Sequence, residues 1–419
     1  MNAETSSIIT HHHSSPKKQV KRKARILIAT VTLGNGNSAP AEAIHAALNQ
    51  LYPDQFEIDL LDFNDAISSK AIDRSLKIAW NWMLENQWFP YWGQRFIDEA
   101  VPGAITRGFL EQLLKDHAHY AAKFIKDNDY DLVVTTHFFT LQSLGLAKDR
   151  FDLQVPIVGV NTDPFDGSVL WAENRVNEII VSSDLAKQKL MKLGIPESKL
   201  RMFGYPLGLQ FVGINMTQAE ARAKLGLEQN KLTILQSAEG EGLGGNLEQF
   251  VQAALTANLN IQYIVACGRD EELLRYLSHL AAVNKGKTKL LPQGHITNMH
   301  EWLSATDLVL GKASAATTFE ALTLGRPIFH TGYVAYNEKT NVDFCVNNKI
   351  GLYIPKPEMI VATLKLFLND PKQLEKYTKR LASMHLRPGT LDIARNMVES
   401  HLAEFATELG TCASSTNQT

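Results

Sequence analysis

Cysteine is scarce: Cys267, Cys345 and Cys412 are the three in 419 residues. They are too few and too scattered for a disulfide framework or a thiolate metal cage, which fits a reducing cytoplasm. No apolar run reaches the ~18 to 20 residues that span a bilayer, and no secretory-type apolar core follows the start. Neither sign of charge dominates. With a net charge of −2 the chain carries no electrostatic footprint for nucleic acid. What is present, 45% hydrophobic and 21% charged residues over this length, is enough for two α/β domains with a core each.

Residues 1–23 read as a disordered basic tail, with His11-His12-His13 followed by Lys17, Lys18, Lys21, Arg22 and Lys23. The histidines read as part of a solvated tail. The basic run suits solvent or an anionic lipid surface, at ~1 kcal/mol per charge. Residues 409–419 read as a second disordered tail.

Between the tails, Val/Ile-rich runs alternate with helical stretches. Arg25–Thr32, Phe56–Phe63, Asp131–His137, Val155–Asp163, Glu178–Ser183 and Arg201–Gly204 predict a first parallel sheet covered on both faces. The pattern lapses around Tyr205–Met216, a candidate hinge, and restarts. Lys231–Ala238, Ile261–Gly268, Lys287–Leu291, Asp307–Lys312, Pro327–Gly332 and Gly351–Ile354 predict a second doubly wound sheet. The expectation is an α/β protein with two Rossmann-like domains, 24–210 and 211–386. A C-terminal helix over 387–408 should cross back onto the first domain. Ligands of such sheets sit beyond the carboxyl ends of the strands, here in a cleft between two of them.

Three loops draw attention. Gly34-Asn35-Gly36-Asn37-Ser38 follows the first strand; its glycines admit a close backbone approach, but many β–α turns need a glycine merely to turn. Ser237-Ala238-Glu239-Gly240-Glu241-Gly242-Leu243-Gly244-Gly245 holds four glycines where a turn needs one or two, which suggests backbone laid against a ligand. In Gly311-Lys312-Ala313-Ser314-Ala315-Ala316-Thr317-Thr318-Phe319-Glu320, small residues at a helix start leave N–H groups for a pyrophosphate. Glu320 can accept from two ribose hydroxyls. Taken alone, a Ser/Thr-capped helix with a first-turn charge is the simpler reading of that loop. Asn337-Glu338-Lys339-Thr340-Asn341, after the next strand, suits sugar hydroxyls. Asp127-Asn128-Asp129 lies before a strand, at the wrong end of the sheet, and reads as a turn.

Together these loops resemble the monogalactosyldiacylglycerol synthases and processive diacylglycerol glycosyltransferases, in the group that includes the lipid II GlcNAc transferase. The likeness runs from about Arg25 to Glu399. The family's G-G-G-H-R-A-S-A-E-A-I is matched by Gly34 to Ile44, and its G-G-G-E-G-M-G-P by Ala238 to Gly245. C-G-R-N is matched by Cys267-Gly268-Arg269-Asp270, and G-F-V-T-N-M by Gly294-His295-Ile296-Thr297-Asn298-Met299. T-K-A-G-P-G-T-x-x-E-A corresponds to Gly311 through Ala321, and Q-E-x-x-N to Asn337-Glu338 and Asn341.

The resemblance implies a GT-B fold and an inverting, metal-independent hexosyl transfer from a UDP-sugar to a membrane lipid such as diacylglycerol, with no separate cofactor. It implies uracil at His295-Ile296, ribose at Glu320, pyrophosphate at Ser314–Thr317 and the donor sugar at Asn337 and Glu338. Gly240, Glu241, Gly242, Gly244, Arg269, Lys312 and Asn341 complete the implied donor site. Gly34, Gly36, Ser168 and Trp171 would face the acceptor.

Inversion needs a base for the acceptor hydroxyl. The family histidine that closes the first loop is Asn37 here, which cannot hold a proton, and a second, in T-D-x4-H-P-T-W, is Ser168. The phosphate loop's G-P-G is Ser314-Ala315-Ala316. His137, Asp163 and Trp171 survive. Asp163 or His137 can take over as base, with Asn37 orienting the acceptor, and a structural role for either stays equally open. Four of six tryptophans fall within Trp80–Trp92, a composition suited to a headgroup layer, and Trp88, Phe89 and Trp92 are the candidate membrane contacts. The expected location is cytoplasmic and peripheral. Two other outcomes stay open: a homologue that binds a nucleotide sugar without transferring it, and a transferase for a soluble acceptor.

Overall fold

A computed structural model describes residues 22–32, 35–67, 88–101, 103–238 and 247–406, the side chains of 35, 88–90 and 104 excepted. It contains two six-stranded sheets, each parallel throughout. The first joins β1 (Ala24–Thr30), β2 (Phe56–Asp62), β3 (Leu132–Thr135), β4 (Ile157–Val160), β5 (Glu178–Val181) and β6 (Leu200–Met202) in the order β2-β1-β3-β4-β5-β6. The second joins β7 (Leu232–Ser237), β8 (Ile261–Ala266), β9 (Lys289–Gln293), β10 (Leu308–Lys312), β11 (Ile328–Gly332) and β12 (Gly351–Tyr353) in the order β12-β11-β10-β7-β8-β9. The order reverses between β1 and β3, and again between β7 and β10. Those two points are where open α/β sheets hold ligands.

Period-two alternation explains why the strands are apolar on both faces. Leu27 and Ala29 of β1 join a core with Leu141, Leu144 and Trp171, while Ile26 and Ile28 join one on the other face with Ile44, Leu48, Ile393 and Met397. The helices flanking the two sheets include α1 (Asn35–Leu51), α2 (Trp88–Ala100), α3 (Gly103–Asp127), α4 (Phe138–Arg150), α5 (Asp184–Lys192), α6 (Ala315–Thr323), α7 (Tyr336–Asn347) and α8 (Thr390–His401). Helix α8 lies against α1 and lends Ile393, Ala394, Met397 and Val398 to the first domain's core. The chain therefore crosses between domains twice. The crossings touch: a Cβ on Gly204 would meet the Arg387 carbonyl at 2.0 Å, one on Gly389 the Gly204 carbonyl at 2.0 Å. Only glycine fits there.

Three local readings need correction. Residues 35–38, read as part of the loop after the first strand, instead form the first turn of helix α1, which starts at Asn35. The last helix stops at His401, seven residues short of the 408 read from sequence. The fold begins before residue 24: the Arg22 guanidinium grips both oxygens of Asp131 at 2.7 Å, so it is not a free lipid-facing charge. Asp129, with φ of 51°, sits in a turn between α3 and β3.

Candidate active site in the interdomain cleft

On the first domain, the segments following β1, β3 and β4 interlock. Asn37, in the first turn of α1, accepts through Oδ1 from the Thr162 hydroxyl at 2.9 Å, and its carbonyl accepts from the Thr136 hydroxyl at 2.9 Å. The neighbouring Asp163 is half-buried. Its Oδ2 accepts from the Trp171 indole N–H at 2.8 Å, and its Oδ1 accepts from Asn337 Nδ2, across the cleft, at 2.6 Å. Burial pushes the Asp163 carboxyl up to about 6; the hydrogen bond from Asn337 opposes this, and the charge of Asp166 adds to it. Behind it, Lys189 on α5 pairs with two buried carboxylates, Asp166 at 2.5 Å and Asp98 at 3.6 Å.

His137 also lies near this corner, but it is 2% exposed and stacked on Phe138, and burial drives its imidazole down to about 3. A nitrogen that stays neutral well below pH 5 is a poor proton acceptor at neutral pH. Ser168 and Trp171 do not face the cleft as acceptor contacts. Both are buried: the Ser168 hydroxyl caps the turn Val169–Trp171, and Trp171 fills the core with only its N–H aimed at Asp163. Gly36 is exposed with open space about its Cα, whereas Gly34 lies outside the described residues.

On the second domain, Ser314 caps α6 through a hydrogen bond from the Thr317 amide at 3.4 Å, the simple capped-helix arrangement. Ala315 and Ala316 add only methyl groups to that helix start, and Thr317 is buried. Glu320 is half-buried one turn further on. Lys312 pairs with Glu338 at 2.7 Å, and the other Glu338 oxygen accepts from the Val334 amide at 2.6 Å. Asn341 is buried and donates to the Ala313 carbonyl at 2.8 Å. It holds the β10–α6 loop in place and does not face a sugar, a correction that follows from its position on the inner face of α7. His295 and Arg269 are exposed, and Ile296 half-buried, at the carboxyl edge of the sheet. Gly240, Glu241, Gly242 and Gly244 lie outside the described residues.

Sequence reasoning missed the residues that close the cleft. The Tyr336 hydroxyl donates to Glu99 of α2 at 2.8 Å, and the Tyr91 ring packs against Tyr333 and Tyr336 at 5.7 and 5.6 Å. These pairs join residues more than 200 positions apart, and no local spacing signals them.

The chain matches the family model for monogalactosyldiacylglycerol synthase over residues 37–207. It is 25% identical over 372 residues to the chloroplastic monogalactosyldiacylglycerol synthase of Spinacia oleracea, covering 87% of this chain and 70% of that one. It is 28% identical over 277 residues to a processive diacylglycerol beta-glucosyltransferase of Bacillus pumilus, covering 66% of this chain and 70% of that one. Among solved structures, MurG of Acinetobacter baumannii superposes with a TM-score of 0.59 at 13% identity, covering 90% of this chain and 99% of MurG. Anabaena HepE, solved in complex with UDP, superposes at 0.51 with 15% identity, covering 90% and 99%. At such identities the structures speak for the fold, which is GT-B. Family match, relatives and fold agree: this chain is a GT-B homologue of the monogalactosyldiacylglycerol synthases and processive diacylglycerol glucosyltransferases.

Proposed function

We propose that this protein is an inverting glycosyltransferase that moves a hexose from a UDP-sugar on the second domain to the hydroxyl of a diacylglycerol-type lipid reached from the first, with Asp163 as the base. The observation that carries the assignment is the Asp163–Asn337 hydrogen bond of 2.6 Å, which joins a first-domain carboxylate poised toward neutral pH to the residue expected at the donor sugar. With its pKa raised to about 6, Asp163 is mostly ionised at pH 7 yet basic enough to take a hydroxyl proton. The acceptor oxygen bonds to the anomeric carbon as the bond from that carbon to the β-phosphate oxygen breaks. UDP leaves with the electron pair, and the proton rests on Asp163 until solvent removes it. The N-terminus of α6 and its macrodipole suit the charge that develops on the leaving pyrophosphate. Trp171 and Asn337 hold the carboxylate in place, and Asn37 acts through Thr162 as an orienting group.

A lipid acceptor stays in the bilayer, and no described helix is long and apolar enough to cross one. The support for docking is an exposed apolar face on two helices of the first domain. Trp92 and Phe96 of α2 are 56% and 63% exposed, and Ile105, Phe109, Leu113 and Tyr120 are exposed along α3. The side chains of Trp88 and Phe89, assigned to this face from sequence, lie outside the described residues.

The test is transfer of labelled hexose from UDP-galactose and UDP-glucose to diacylglycerol in vesicles and to soluble alcohols. Lipid-linked product lost in Asp163→Asn with UDP affinity kept supports the proposal. Nucleotide-sugar binding with no transfer to any acceptor would replace it with a binding homologue.

A further inference from the structure

We infer that Phe165 is a positioning residue for the transfer: seated in the second domain, it registers the loop that carries Asp163 against the donor site. This rests on the reading of Asp163 as the base.

The loop 161–166 belongs to the first domain by chain order. It leaves β4, is tied back by Asn161 Nδ2 to the Asp166 carbonyl at 2.7 Å, and is held by the Ser183 hydroxyl on the Pro164 carbonyl. Its tip does not stay there. Phe165 is 5% exposed and is buried in the second domain's core, with Phe319, Leu322, Val309 and Ile328. Among the buried residues of that cluster it is the one that precedes the crossover at 203–211. The ring lies flat between two from the second domain: Phe344 of α7 at 3.7 Å and 11°, and Phe319 of α6 at 5.2 Å and 21°. Phe319 in turn stacks on Tyr205 of the crossover at 5.0 Å. The column thus alternates second domain, first domain, second domain, crossover.

Its partners are the donor helices. Phe319 directly precedes Glu320, expected at the ribose, and Phe344 lies on the helix that begins with Tyr336 and Asn337. Two residues before Phe165, Asp163 meets Asn337. A flat ring with two stacking neighbours fixes both depth and tilt of the loop, which an aliphatic side chain of similar volume does not. Asp163 has no long side chain with which to correct a misplaced backbone, and misplacement by about 1 Å costs ~10²-fold in a positioned reaction. Burial is the main reason the Asp163 pKa is raised, and the depth at which Phe165 seats the loop sets that burial. The charged and titratable groups acting on Asp163 are Asp166 on its own loop, Asp98 from α2 and Tyr205 from the crossover, and Lys189 from α5 pairs with both of those aspartates. None of them is altered by changing Phe165.

The test is Phe165→Leu in the full chain, which keeps apolar volume and removes the stack, with Phe344→Leu as the matching variant from the other domain. The Trp171 indole N–H donates to Asp163, so its ¹H–¹⁵N resonance, assigned by loss in Trp171→Phe, reports the ionisation of Asp163 without turnover. In the wild type the resonance should titrate near pH 6; each variant should lower the midpoint by about half a unit or more as water enters. With UDP-sugar as donor, kcat should fall about tenfold, the acid limb of its pH profile moving with the midpoint, while KM for the donor stays within about twofold. An unchanged midpoint and kcat in both variants, beside an inactive Asp163→Asn, overturns the positioning role. Loss of the native fold in both also overturns it, by making the stack core packing. A wild-type resonance that does not titrate near pH 6, or an active Asp163→Asn, counts against the base assignment beneath it.

Discussion

The two halves of the cleft are built by different means. On the second domain, groups expected at the donor are arranged largely within short stretches: Ser314 caps its own helix, and Glu338 closes on the amides of Val334 and Ala335, with Lys312 at the end of β10 as its one distant partner among the described residues. On the first domain the contacts that join the loops to one another and to the second domain are long-range: Asn37 to Thr162, Thr136 to Asn37, and Asp163 to Asn337, 174 residues away. A site made of local motifs keeps its chemistry as long as its motif is kept. A site made of long-range contacts can lose one group and still hold another in the same space. Here the position after Gly36 holds no histidine, and Asp163, next in sequence to the Thr162 that bonds Asn37, is a carboxylate perturbed toward neutral pH.

The largest effect should come from testing that exchange of roles. Asp163→Asn should lower turnover by ~10² to 10⁴-fold with UDP affinity unchanged, whereas His137→Gln should cost far less, because a buried imidazole at about 3 does not take the proton. If the histidine variant is the inactive one, the comparison between the halves is drawn in the wrong place. On the donor half, Glu320→Gln should weaken UDP binding by ~1 to 3 kcal/mol in calorimetry, through lost charge-assisted hydrogen bonds to the ribose. Unaltered affinity would remove Glu320 from the site.

Stability gives a third, smaller test. Folding raises the Asp163 pKa to about 6, so the folded chain holds that proton more tightly than the unfolded one. The contribution is fully present below the unfolded pKa near 4 and is lost as pH rises through about 6. Above that, the buried charge costs stability. Asp163→Asn should therefore melt higher than wild type at pH 8, by on the order of 1 to 3 kcal/mol, with the gap closing below pH 5. The buried, unpartnered Asn337 Oδ1 offers an acceptor for the new amide once Asn337 turns over. A pH-independent difference would mean that Asp163 is not perturbed.

The same contrast explains what could be read from the sequence. The strands were legible because parallel strands buried on both faces leave continuous apolar runs, and each of the runs named from sequence overlaps a strand here, most of them trimmed at their ends, while the strands Ala24–Thr30, Leu200–Met202 and Lys289–Gln293 begin before or end after the run. The donor loops were legible because glycines, small residues and a helix start sit side by side. Less could be read where a residue's role depends on what faces it. Nothing near Asn341 says that it bonds Ala313, and Ser168 and Trp171 stand in a loop but point into the core. Phe165, Asp98, Lys189 and Tyr336 act across distances that no spacing rule covers.

The smallest expected effect concerns the outer surfaces. On α2 and α3 exposed apolar residues recur at four-residue spacing, Trp92 and Phe96 on the first and Ile105, Phe109 and Leu113 on the second, so that each helix carries a stripe. Those of the second domain are sparser: Met359 and Leu366 on the helix Pro357–Asn369 stand two turns apart with no exposed large apolar residue between them. Scattered apolar residues are normal on any surface, whereas stripes are how a peripheral protein enters the headgroup layer. Replacing Trp92 and Phe96 by Ser should lower co-sedimentation with phosphatidylglycerol vesicles by about tenfold, since each ring loses part of the ~1.5 to 3 kcal/mol that full burial of such a side chain is worth. The melting temperature should barely move, because both side chains already face water. Met359→Ser with Leu366→Ser is the control and should bind vesicles as wild type does. If the control loses binding and the α2 variant keeps it, the lipid lies against the second domain and the acceptor side of the cleft is misassigned. If the α2 variant unfolds, those rings are interior to something the chain makes with itself, and the soluble-acceptor reading returns.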